Sequence, residues 1–303
     1  MKKRPFKQVD VFTATPYLGN PVAVVLDGDG LSDEEMASFA RWTNLSETTF
    51  VLPPTQPSAD YRLRIFTPGS ELPFAGHPTL GSCHAWLEAG GIVKNTDVIV
   101  QECAKGLIKI RRDLNSNRLA FAAPELKRIA PSPVVLAQVA SALGIKAAQV
   151  TAAQLLDNGP VWLGLLLDNP ETVLKIVPNH QELAKLGVKV GVAGVYEQPS
   201  SPLIARANRE AHAFTQAATA QMPDMEVRAF AASIGINEDP VTGSLNASLA
   251  QWLMADGIMP AHYTAAQGVC VKRAGQLDLL RDTQGQVWVG GQSVTCIDGQ
   301  VTL

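Results

Sequence analysis

The chain has 303 residues, 46% of them hydrophobic, with 25 Lys and Arg set against 28 Asp and Glu for a net charge of -3. A chain of this length and apolarity buries a large core, and the usual domain size of roughly 100–200 residues points to two domains. The near-neutral balance, with no basic run, speaks against a nucleic-acid partner. No apolar stretch is long enough to span a bilayer.

The opening MKKRPFKQVDVF is basic but runs into an alternating apolar segment rather than the apolar core of a signal peptide, so a soluble, cytoplasmic protein is expected. QVDVFTATPYLGNPVAVVLD reads as a hairpin, a strand through Val9 and Val11, a turn, and a strand through Ala23 and Val25. LSDEEMASFARWTN predicts a helix capped by Ser32, with an acidic first turn and Met36, Phe39 and Ala40 on one face. SETTFVLPP and DYRLRIFTPG read as β-branched and aromatic strands stopped by proline. TLGSCHAWLEAGG predicts a short apolar helix ended by Gly90 and Gly91, and the stretch from Asp97 to Glu125 holds three further short strands. PSPVVLAQVASALGIKAAQV predicts a helix with Pro133 near its start and Gly144 near its end, and the prolines before it place a domain boundary around residues 123–133. A second round of strands and helices follows, which is not the regular βα alternation of a doubly wound sheet.

The two halves echo each other. YRLRIFTPGSELPFAGHPTLGSCHAWLEAGG aligns with MEVRAFAASIGINEDPVTGSLNASLAQWLMADG: an Arg-x-Phe strand (Arg64 and Phe66; Arg228 and Phe230), a glycine-containing loop, and a helix carrying Trp86 or Trp252. In each half the helix begins through a segment that frees backbone N–H groups, AGHPT at 75–79 and DPVTGS at 239–244. A helix N-terminus has unsatisfied donors and about half a unit of positive partial charge, so two such ends brought face to face would clamp a small anion. Gly76 and Gly243 would let that anion approach the backbone. Taken singly, each segment is an ordinary helix start with Thr79, Thr242 and Ser244 as caps.

A clamp needs a reacting group. Glu47 lies in WTNLSETTFVL among apolar and β-branched neighbours, where desolvation would raise its pKa toward the range useful for proton transfer; the plain alternative is an edge-strand glutamate facing water. His77 and Asp239 are candidate proton carriers or hydrogen-bonding groups at the same place, against plain roles as a turn histidine and a capping aspartate. The four cysteines, Cys83, Cys103, Cys270 and Cys296, form no CxxC pair and the five histidines no HExxH pair, so reduced structural thiols and no catalytic metal are expected. Neither a GxGxxG after a strand nor a GxxxxGK[ST] motif occurs, and no nucleotide cofactor is called for.

Together DVFTATPYLGNPVAVV, NLSETTFV, RIFTPGSELPFAGHPTLG, EDPVTGS with the helix after it, and QGVCVKRAGQL resemble the PhzF-like (phenazine biosynthesis) family, along nearly the whole chain. The resemblance implies the α+β fold of diaminopimelate epimerase: two similar, pseudo-twofold-related domains, each a β-barrel-like sheet around a central helix, here residues 1–122 and 123–303, with the last strand free to return to the first domain. It implies a homodimer and an isomerase with no metal or organic cofactor, acting on a small carboxylated substrate in the interdomain cleft. It makes Glu47 the acid/base, places His77 and Asp239 beside it as catalytic residues, and makes Gly76, Gly243, Ser244 and Asn20 substrate-binding. Related epimerases and racemases use one cysteine at each helix start; here those segments hold Ala75 and Pro240, which favours an isomerase working on one face of its substrate. An epimerase or racemase of a small amino or hydroxy acid, and a non-catalytic metabolite-binding or interaction protein, stand as alternatives. Asn246 departs from the small residues usual in the family at that point, a change expected to alter the pocket.

Overall fold

The computed structural model describes residues 1–114, 116–197 and 222–303. The opening hairpin forms as expected from β1 (Lys3–Val11) and β2 (Asn20–Val25), paired antiparallel from Phe6 with Val25 to Val11 with Asn20. Helix α1 (Asp33–Thr43) starts at a full capping box: the Ser32 hydroxyl accepts from the Glu35 N–H while the Glu35 carboxylate accepts from the Ser32 N–H. Strands β3 (Thr48–Leu52), β4 (Tyr61–Phe66) and β5 (Glu71–Leu72) lead into α2 (Gly76–Glu88).

Helix α2 begins at Gly76, three residues before the expected Thr79, with Ala75 as its N-cap residue. Pro78 does not delay it, because the first turn has no intrahelical partner for an N–H that proline lacks. Thr79 therefore lies within the helix, its hydroxyl accepting from Gln101. The chain continues through β6 (Val98–Cys103), β7 (Gly106–Arg112), β8 (Leu119–Ala122), β9 (Lys127–Ile129) and α3 (Pro133–Leu143), which carries Pro133 at its start and ends on Gly144 in the left-handed region, as the sequence predicts. Next come β10 (Val150–Asp157), β11 (Val161–Leu167), α4 (Pro170–Lys175), α5 (His180–Lys185), β12 (Lys189–Val195), β13 (Met225–Ala231), β14 (Ile236–Asp239) and α6 (Gly243–Ala255). Strands β15 (His262–Gln267), β16 (Gly275–Arg281), β17 (Val287–Gly291) and β18 (Ser293–Thr302) close the chain.

The architecture is mixed α+β with one large sheet of 18 strands rather than two separate sheets. The joint is β8 against β17, paired antiparallel from Leu119 with Gly291 to Ala122 with Trp288. Within the sheet the pairings recur at an offset of nine strands. β2–β3 and β11–β12 are parallel, β3–β4 and β12–β13 antiparallel, β4–β6 and β13–β15 parallel, and β6–β7 and β15–β16 antiparallel. β18 pairs with β1 and β9 with β10. Side chains recur too. Arg64 forks onto Glu71 and lies 5.0 Å over the Phe66 ring, and Arg228 forks onto Glu238 and lies 5.0 Å over the Phe230 ring. The two tryptophans of the sequence alignment are less equivalent: counted from the helix starts, Trp86 is the eleventh residue of α2 and Trp252 the tenth of α6.

Both 13-residue helices α2 and α6 lack a polar face. Nine residues of α2 and ten of α6 are buried, as expected for helices enclosed by sheet rather than laid on its surface. Their apolar side chains share one large cluster with the inner faces of the strands, while α1 and the group α3 to α5 cover the outer faces with smaller clusters of their own.

Candidate active site

The N-termini of α2 and α6 meet head to head. A Cβ built on Gly243 would sit 3.2 Å from the Gly76 Cα and 3.3 Å from the His77 nitrogen, and one on Gly76 would sit 2.7 Å from Cζ of Phe121. The sequence reading gave these glycines the task of admitting a ligand; in the structure the space a Cβ would need is taken by the other helix's backbone and by Phe121. Any anion held by these helix starts lies beside this contact, against the N–H groups of the first turns.

Around the contact, four of the predicted residues come together from four elements. Glu47 immediately precedes β3, His77 is the second residue of α2, Asn20 opens β2 and Asp239 ends β14. Glu47 Oε2 lies 3.3 Å from His77 Nε2. Asn20 Nδ2 donates to Asp239 Oδ1 at 2.9 Å and to the Val241 carbonyl at 2.8 Å, and approaches His77 Nδ1 at 3.4 Å. The hydroxyl of Thr242, the N-cap residue of α6, makes no cap bond and instead donates to Asp239 Oδ2 at 2.6 Å. Ser244 faces other partners: its hydroxyl accepts from the Trp162 indole N–H at 3.1 Å and its carbonyl from Asn158 Nδ2 at 3.0 Å. Counting from Gly76 and Gly243, the residue corresponding to Ala75 is Thr242, not Pro240, and neither N-cap position carries a thiol.

Sequence reasoning missed Gln267. From the end of β15 its amide donates to the Asp239 carbonyl and the Thr242 hydroxyl, and its Oε1 accepts from the Thr242 N–H and from Asn246 Nδ2. Its place at the head of QGVCVKRAGQL, a segment matched above without a role, was the available signal. Asn246 is fully buried and donates to Gln267 and to the Thr242 carbonyl, so it braces the start of α6.

The electrostatics follow from burial. Loss of solvent raises the Glu47 carboxyl from 4.5 to about 7, and its side chain is only 14% exposed. The same loss lowers His77 to about 4, against the opposing pull of Asp239 and a hydrogen bond to the Pro21 backbone. Asp239 rises to about 6 by desolvation, with the charge of Glu47 adding and that of His77 and the bonds from Thr242 and Asn20 opposing. At neutral pH His77 is thus uncharged. The two amide hydrogens of Asn20 are used by Asp239 and Val241, and His77 Nε2 has no hydrogen bond among the described residues. With the ring proton on Nδ1, Nε2 is an acceptor facing Glu47 Oε2, which likewise has no hydrogen bond among the described residues. A protonated Glu47 can donate to it; an ionised one sets two lone pairs against each other.

Among the described residues no cluster of three or more His, Cys, Asp or Glu side chains could hold a metal ion, and no helix is long and apolar enough to cross a membrane. Surface cavities of about 590 Å³ and about 500 Å³ are lined by neither Glu47, His77 nor Asp239.

The fold defines the class: it is that of the PhzF and epimerase-like proteins, matching a Pseudomonas aeruginosa protein described as a predicted epimerase with a TM-score of 0.76 and 26% identity over 99% of each chain. The chain belongs to the phenazine biosynthesis-like (PhzC-PhzF) family, whose model matches residues 9–299. Antisense-enhancing sequence 1 of Schizosaccharomyces pombe is 38% identical over 99% of both chains. The trans-2,3-dihydro-3-hydroxyanthranilate isomerase of Pseudomonas aeruginosa is 35% identical over 178 residues, 58% of this chain and 61% of that one. Several relatives are named isomerases, and this chain is an isomerase of that family. The resemblance carried by the sequence motifs is borne out.

Proposed function

We propose that the protein is a cofactor-independent isomerase that moves a proton along one face of a small carboxylated substrate, with Glu47 as the single acid/base. The observation that carries this reading is the desolvated Glu47 carboxyl, raised to about 7 and set 3.3 Å from an uncharged His77 where two helix starts meet. A base with a pKa near the working pH takes and returns a proton with equal ease, which suits a reaction that does both. Glu47 removes a hydrogen next to an electron-withdrawing group and delivers it elsewhere on the conjugated system. The N–H groups of Gly76, His77, Gly243 and Ser244 hold the carboxylate, keeping the reacting carbon fixed against Glu47. With its pKa near 4, His77 serves as a hydrogen-bonding group to Glu47 rather than as a second proton carrier. Asn20 and Thr242 hold Asp239 in place behind it.

The same reading divides the chain into two similar domains, residues 1–122 and 123–303, with the reaction at their junction. The recurrence of pairings at an offset of nine strands and the duplicated Arg–Glu–Phe arrangement support it. A ring-shaped, conjugated carboxylic acid is the favoured substrate, in keeping with the dihydroanthranilate named for one relative.

The alternative of a two-thiol epimerase is disfavoured by Cys83, which is fully buried with its thiol pushed up to about 12 and so is no base at neutral pH. The test is solvent deuterium incorporation into trans-2,3-dihydro-3-hydroxyanthranilate by the wild type and by Glu47→Gln. Exchange slowed by about 10²–10⁴-fold is expected, with no effect of thiol alkylation on the wild type; exchange at the wild-type rate in the variant removes Glu47 from the mechanism.

A further inference from the structure

The repeated pairing pattern identifies, residue by residue, what stands in the second half where Glu47 stands in the first. Phe50 pairs with Arg64 and Val192 with Arg228, the two arginines of the duplicated Arg-x-Phe strands. Counting back three residues from Phe50 gives Glu47, and from Val192 gives Lys189. The faces agree as well. Phe50 and Val192 point to the outer clusters, while Thr49 meets Ser82 of α2 and Gly191 packs against Leu245 of α6. By the two-residue alternation of a strand, Lys189 lies on the α6 side of the sheet as Glu47 lies on the α2 side.

Lys189 is only partly exposed, and among the described residues its ammonium makes no hydrogen bond or ion pair. Its Nζ lies 5.0 Å above the Trp162 ring, whose indole N–H is bonded to Ser244 in the first turn of α6. A half-buried ammonium without a counter-charge, beside a helix start, is an arrangement that an anionic group completes.

We propose that Lys189, held over the Trp162 ring, is a specificity-determining residue of the active site: with the first turn of α6 it binds a carboxylate of the substrate, opposite the proton-transferring arm of Glu47 and His77. The pairing pattern thus carries an acid in one half and a cation in the equivalent position of the other. This rests on the proton-transfer reading above and adds a cation from the second half to the helix-start N–H groups that hold the carboxylate.

The test uses anthranilate, a planar aminocarboxylate, and aniline, which lacks the carboxylate, with binding to the full chain measured by calorimetry. Wild type is expected to bind anthranilate and to bind aniline far more weakly. Lys189→Met is expected to weaken anthranilate about 10- to 100-fold, the range of a charge-assisted hydrogen bond, and to leave aniline unchanged, with Lys189→Arg restoring most of the loss. Glu47→Gln is expected to keep anthranilate affinity while losing deuterium exchange, so the two readings fail separately. Unchanged anthranilate affinity in Lys189→Met, equal loss for both probes, or no saturable anthranilate binding by the wild type overturns the assignment.

Discussion

Replacing Glu47 by Gln should make the protein more stable, and increasingly so as pH rises. A carboxyl whose pKa is higher folded than unfolded binds its proton more tightly in the native state, so stability is full below the unfolded value and is lost as pH climbs through the folded one. For Glu47 these limits are 4.5 and about 7. At about 1.4 kcal/mol per pH unit, a complete passage costs about 3 kcal/mol. Glutamine copies the protonated acid: it has nothing to ionise, and its amide can donate to His77 Nε2 from the position Glu47 Oε2 now holds. The difference in unfolding free energy between Glu47→Gln and wild type should therefore be near zero at about pH 4.5 and approach about 3 kcal/mol at about pH 8. The charge of Glu47 is one of the causes that raise Asp239, so the comparison of the two proteins reads the Glu47 charge together with its effect on Asp239. Urea titrations at a series of pH values measure it directly. Parallel stability curves for the two proteins would refute the desolvated-acid description of Glu47, and with it the physical basis of its proposed role as acid/base. The matching expectation for the wild type is an exchange rate that rises with pH and levels off above about 7, as the base form fills.

Two further perturbations probe the frame around the site. Gly243→Ala puts a methyl 3.2 Å from the Gly76 Cα, where backbone and not a flexible side chain must yield, and should cost about 1–3 kcal/mol by thermal denaturation. Gly69→Ala, whose nearest neighbour is 3.9 Å away, should fall within about 0.5 kcal/mol of wild type, and equal effects at the two positions would contradict the close helix contact. The duplicated arginines should differ sharply. Arg228 and Glu238 are 4% and 7% exposed, whereas Arg64 and Glu71 are 23% and 37% exposed. Arg228→Ala, which strands a buried carboxylate, should cost about 3–5 kcal/mol, and Arg64→Ala about 0–1 kcal/mol, both read from urea unfolding; equal losses would show that burial does not set the worth of these pairs.

Local features of the chain were legible because their causes are local. Ser32 and Glu35 form their capping box within one turn, Pro133 and Gly144 bracket a helix by their own backbone preferences, and Val9, Val11, Ala23 and Val25 mark a hairpin by alternation. The family was legible for a different reason: several motifs in one order leave little room for coincidence. The start of α2 was placed three residues late because Gly76, His77 and Pro78 are weak helix formers in isolation, and only the surrounding sheet holds that turn. The merging of the strands into one sheet turned on β8 meeting β17, a pairing between segments far apart in the chain that alternation cannot specify.

The sequence by itself named the candidate site residues, since NLSETTFV, AGHP and EDPVTGS single out Glu47, His77 and Asp239 by type and order. Tertiary structure alone decided what those residues are. Only burial raises Glu47 to about 7 and keeps His77 uncharged, only the docking of β15 brings Gln267 onto Thr242, and only strand register sets Lys189 where the first half has Glu47. The reason is the same in each case: a side chain's type is written locally, whereas its solvent, its partners and the face it presents are set by chain brought in from elsewhere.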